Sequence, residues 1–112
     1  MTNDKLPPTT RERIGDVAPK LVDLTEKVLF GDIWERQGLS KRDRSIITVS
    51  ALVAMNRTDQ LPFHLRRALE NGVTKDELVE LITHLAFYSG WPTAMSAIIL
   101  AKEAFQGNAV SK

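Results

Sequence analysis

Residues 64–92, HLRRALENGVTKDELVELITHLAFYSGWP, read as the end of one helix, a turn, a complete second helix and a break. Leu65, Ala68 and Leu69 continue an apolar stripe begun at Leu61, in steps of three and four that belong on one helix face. Pro62 fits only the first turn of that helix, and Gly72 supplies its stop. Thr74 followed by Glu77 makes a capping box, with side chain and backbone satisfying each other at a helix start. The helix opened there is expected to run to about Ser89, where Gly90 and Pro92 break it.

The same periodicity extends in both directions. Downstream, TAMSAIILAKEAF sets Ala94, Ala97, Ala101 and Ala104 along one side, small enough for close helix contact. Upstream, Ser40 is a good N-cap with Asp43 three residues on, and Ile46–Met55 is apolar nearly all round, which predicts a helix buried on most sides. Its β-branched run IITV also suits a strand, but no second strand-like segment exists to pair with it. Before it, Gly31 and Gly38 bracket a short helical turn. Val17, Leu21, Leu24, Val28 and Leu29 predict an earlier apolar stripe. The expectation is an all-α fold of about six helices over residues 14–107, with a flexible arm at 1–13 and a tail at 108–112.

At 112 residues the chain has room for one core of adequate rather than generous size, which a second copy of the chain is able to complete. Fifteen basic and fourteen acidic residues leave a net charge of +1, which argues against nucleic acid or an anionic membrane as the main partner. There is no cysteine, so thiolate nucleophiles, disulfides and cysteine metal sites are excluded. No stretch approaches the ~20 apolar residues of a membrane span, and the N-terminus lacks the apolar run of a signal peptide. A cytoplasmic protein is expected.

Two histidines invite chemistry. His64 lies within the stripe of its helix, so it is either a core histidine satisfied by a carbonyl or a general acid or base titrating near neutral pH. His84 shares a flank with Glu77, Glu80 and Tyr88, which is either a polar active-site wall or a solvated surface or subunit contact. They are not spaced four apart as a helical zinc pair would be, and no metal is expected. Arg44 precedes the apolar run of its helix, where its forked donors suit an acidic substrate or an acidic neighbour such as Asp32 or Glu35. The remaining arginines of SKRDRS and HLRR read as solvated charge. Trp91 at the YSGWP corner is a packing plug or a pocket wall.

Three separated blocks, FGDIWERQGLSKRDRS, HLRRALENGVTKDELVE and YSGWPTAMSA, together resemble the carboxymuconolactone decarboxylase family of the AhpD-like superfamily, over roughly residues 20–106. The resemblance implies an all-helical subunit that assembles into a homo-oligomer, commonly a trimer or hexamer. One branch reduces peroxides with a C-x-x-C pair. Here Arg57 and Gln60 occupy those positions while His64 is retained, so that branch is rejected. The cysteine-free branch implies a cofactor-free decarboxylase in aromatic catabolism, acting on a small acidic lactone or related carboxylate. It assigns carboxylate or oxyanion binding to Arg44 and proton transfer to His64, lines the pocket with Tyr88, Trp91 and Gln60, and keeps His84 as a second acid/base. Members of that branch often carry an acidic residue where this chain has Gln60. The rival reading is a non-catalytic helical oligomer that binds a small acid.

Overall fold

The computed structural model describes residues 9–107. Residues 1–8 and 108–112, which hold most of the expected arm and all of the expected tail, lie outside the described residues. The regular secondary structure of the described chain is helical, with α1 at Thr10–Ile14, α2 at Pro19–Asp23, α3 at Lys41–Ala54, α4 at Leu61–Glu70, α5 at Lys75–Ser89 and α6 at Trp91–Phe105. Among the described residues there is no strand, and no helix is long and apolar enough to cross a membrane. The length argument expects one core, whereas the described chain divides into two compact units, residues 9–39 and 40–107.

In the first unit, helix begins inside the stretch assigned to the arm. Thr9 caps α1 by accepting from the Glu12 amide at 3.1 Å, and the Glu12 carboxylate accepts from the Thr9 amide at 2.9 Å. Pro19, whose fixed φ suits a first helical position, starts α2 afresh. The chain then widens into a π-helical turn over Leu24–Leu29, closed by Phe30 N–H donating to the Thr25 carbonyl at 3.0 Å. Gly31 follows where a Cβ would stand 2.8 Å from two carbonyl oxygens, so only glycine fits. Restart and widening break the 3.6-residue phase on which the expected stripe depends. Val17, Leu21, Leu24, Val28 and Leu29 are consequently all exposed, and Val22 is the buried residue of α2. Arg11 fastens this unit by donating to Asp23 at 2.8 Å and to Glu26 at 3.0 Å, which holds the Asp23 carboxyl below the usual carboxylate range.

The second unit packs α3–α6 around one core. Ser40 caps α3 by accepting from the Asp43 amide at 3.0 Å. The expectation that Ile46–Met55 is buried on most sides fails. Ser45, Val49 and Val53 form the buried line, while Ile47 and Met55 face outward. Leu61, Leu65 and Ala68 of α4 and Leu78, Ile82 and Ala86 of α5 meet that line. α6 turns Ala94, Ala97, Ala101 and Ala104 inward, and these small residues permit its extensive pairing with α5. Gly90, at φ 111° and ψ 145°, joins the two in a single-residue corner closed to side-chain-bearing residues.

Candidate active site

α3 and α4 are neighbours joined by a short loop, and one polar contact fixes their register. The Asn71 amide, at the C-terminal cap of α4, donates to the Ser45 hydroxyl near the start of α3 at 3.0 Å. The helices therefore run antiparallel, with the N-terminal end of α3 beside the C-terminal end of α4. Helical spacing then sets Arg44 and Thr48 on one flank of α3, and Gln60, His64, Arg67 and Asn71 on one flank of α4. Arg44, Thr48, His64, Arg67 and Asn71 are all half-buried, which makes this a polar seam beside an apolar core.

Seven residues of helix separate His64 from Asn71, about 10 Å along the axis. Arg44 and His64 thus stand near opposite ends of the seam, and Arg67 falls between them. The Phe63 ring meets the His64 imidazole edge-on at 4.9 Å. The Arg67 guanidinium lies over the same Phe63 ring, 5.8 Å from its centre. Burial, and then the positive charge of Arg67, push the His64 pKa below its ordinary value. Sequence reasoning passed over Arg67 as solvated charge, although its three-residue offset from His64 was the available signal.

His84 belongs elsewhere. It lines an open cavity of about 350 Å³ with Arg42, Ile46, Glu77, Glu80 and Leu81. Arg42 and Ile46 occupy the flank of α3 opposite Arg44 and Thr48, so the two histidines lie on different sides of that helix. Arg42 forms an ion pair with Glu77. The Glu77 carboxyl is held low first by the Thr74 amide and then by Arg42. The His84 ring stacks on Tyr88 at 4.8 Å. Tyr88 and Trp91 stand on the surface of the single chain, Trp91 edge-on to Phe87 at 5.7 Å, and Gln60 is exposed at the N-cap of α4. Of the six residues singled out from sequence, Arg44 on α3 and Gln60 and His64 on α4 are spread along the seam, while His84, Tyr88 and Trp91 gather about α5 and the start of α6. Among the described residues, no group of three or more His, Asp or Glu side chains is placed to hold a metal ion.

The seam offers two guanidinium groups, a low-pKa imidazole and an aromatic edge. Guanidinium groups are suited to pairing with carboxylates, and an imidazole to proton exchange. The sequence profile of the Carboxymuconolactone decarboxylase family matches residues 19–103. A 4-carboxymuconolactone decarboxylase of Acinetobacter baylyi is 39% identical over 95 residues, covering 85% of this chain and 71% of that protein. A nitrosuccinic acid decarboxylase of Metarhizium robertsii is 32% identical over 81 residues, covering 72% of this chain and 57% of that protein. An uncharacterised protein of Paracoccus denitrificans is 30% identical, covering 68% of this chain and 58% of its own length.

Proposed function

The chain belongs to the carboxymuconolactone decarboxylase family, and we propose that it is a cofactor-free decarboxylase of a small acidic lactone or a related carboxylate. The observation that carries the reading is the α3–α4 seam, where His64 adjoins Arg67 and Arg44 stands farther along. Two relatives are named for removing CO2 from acids that also bear an electron acceptor, a lactone carbonyl in one and a nitro group in the other. Either acceptor takes the electron pair released when the carbon–carboxylate bond breaks, so no external electron sink is needed.

The chemistry then assigns itself to groups. Arg44 and Arg67 hold carboxylates at separate points along the seam and stabilise the oxygen on which negative charge develops. Loss of CO2 leaves a carbanion equivalent that needs one proton at carbon. His64, neutral in the empty site, gains affinity for a proton as an anion settles beside it, and delivers that proton after CO2 departs. Gln60, on the same flank, contacts the substrate as a neutral donor. The enzyme works in the cytoplasm, in breakdown of aromatic compounds, as a homo-oligomer of trimeric or hexameric type. No thiol chemistry competes, because the chain contains no cysteine and Arg57 and Gln60 occupy the matching positions.

The test is turnover by the purified protein. 4-Carboxymuconolactone and nitrosuccinic acid are supplied separately, with CO2 release followed in buffer free of added metal and cofactor. CO2 release from either substrate is expected. Binding without turnover of both would replace the enzyme with a small-acid binding protein.

A further inference from the structure

Residues 85–101, LAFYSGWPTAMSAIILA, are seventeen consecutive positions without a charged side chain, and they are not all inside. α6 faces the core with alanine, while its larger residues Trp91, Met95 and Ile99 point outward, joined by Phe87 and Tyr88 from the end of α5. These five side chains are between 51 and 77% exposed. Phe87 and Trp91, in contact at 5.7 Å, bridge the two helices into one surface. A helix that is apolar on every side is one that expects cover on every side.

We infer that this α5–α6 face is where a second copy of the chain docks, burying Phe87, Tyr88, Trp91, Met95 and Ile99 at the centre of a self-contact. The inference rests on the homo-oligomer reading above and names its surface. Composition fits, because interface centres are rich in aromatic residues and methionine and poor in charge. Size fits too. Five such side chains at these exposures present on the order of 600 Å², most of the ~800 Å² that each partner contributes to a standard interface. A neutral face approaches its own copy with no like-charge repulsion. Lys102 of α6 and Glu80 of α5, beside His84, are charged groups at its rim, both toward the end where the Lys75 ammonium lies over the Phe105 ring. An anionic membrane is a poor occupant, since that rim supplies one lysine against an acidic neighbour. Because Tyr88 stacks on His84, the docked copy also covers the side of the His84 cavity nearest that ring.

The experiment combines light scattering with fluorescence quenching on the intact wild-type chain. Trp34 is 5% exposed and Trp91 58%, so a soluble quencher reports chiefly on Trp91. Across a dilution series, the mass is expected to fall from a multiple of 12.5 kDa towards 12.5 kDa, with quenching rising in step. The double variant Trp91→Glu, Met95→Glu, helical by circular dichroism, is expected to remain at the single-chain mass. A wild-type mass of 12.5 kDa at every concentration overturns both the oligomer and this face, whether or not vesicles or other proteins then bind. A multiple mass with Trp91 still open to quencher overturns the face alone and leaves the oligomer standing. The quenching arm uses unmodified protein, so it decides the matter even where the double variant fails to fold.

Discussion

The Asn71 amide donates to the Ser45 hydroxyl at 3.0 Å, and this bond holds the register that strings Arg44, Arg67 and His64 along one side of α3 and α4. Ser45 is the buried polar residue at the head of an otherwise apolar line. Removing its hydroxyl leaves the Asn71 donor without its acceptor in a half-buried place. Ser45→Ala is expected to cost about 1–3 kcal/mol in denaturant unfolding. An Asn71→Ala background should absorb most of that loss, and full additivity of the two substitutions would argue that the bond does not hold the register.

Both ends of α5 are set by local chemistry. Thr74 accepts from the Glu77 amide at 3.1 Å, so Thr74→Ala is expected to cost about 1 kcal/mol. Gly90 occupies backbone space that a Cβ disfavours, so Gly90→Ala should cost about 1–3 kcal/mol even though little lies near the added atom. Thermal melts of the two variants check both. An unchanged melting temperature for Gly90→Ala would mean the corner relaxes into another conformation.

His64 ties stability to pH. Its folded-state pKa lies below the unfolded value, so between the two the unfolded chain binds more protons and stability rises with pH. The stability is complete above the ordinary histidine value of about 6.5 and is lost as pH falls from there through the folded pKa. His64→Gln should flatten that part of the curve. Proton NMR titration of the His64 imidazole should give a midpoint below the ordinary histidine value.

Arg67 contributes to that low midpoint. Arg67→Met keeps much of the packing over Phe63 while removing the charge, so the His64 midpoint is expected to move up. In the enzyme reading the same change raises KM for an anionic substrate, because a carboxylate loses its guanidinium. A raised midpoint with KM unmoved would leave Arg67 as an electrostatic neighbour that does not touch substrate.

The four helices of the second unit were legible because their signals are local and agree. Capping residues at Ser40 and Thr74, stops at Gly72 and Gly90, and the alanine line of α6 all lie within a turn or two of what they determine. The first unit was misread because Pro19 and the π-helical turn reset the helical phase, an effect that a constant period cannot register. Apolar character was legible, but its destination was not. Ile47 and Met55, read as buried, face outward, and the sequence pattern does not separate a core face from an interface face. The site was half legible. His84 keeps the flank with Glu77, Glu80 and Tyr88 that its spacing implied, whereas His64, read as lying within the apolar stripe, is half-buried on the flank beside it. That those flanks lie on opposite sides of α3 depends on how α4 and α5 pack around it, which neither spacing encodes.

The central claim is that chemistry belongs to the seam holding His64 and not to the cavity holding His84. Steady-state decarboxylation of 4-carboxymuconolactone by wild type, His64→Gln and His84→Gln tests it most directly. Loss of roughly 10²–10⁴-fold in kcat for His64→Gln is predicted, with His84→Gln remaining near wild type. The reverse pattern, with activity surviving at His64→Gln and lost at His84→Gln, would contradict the account.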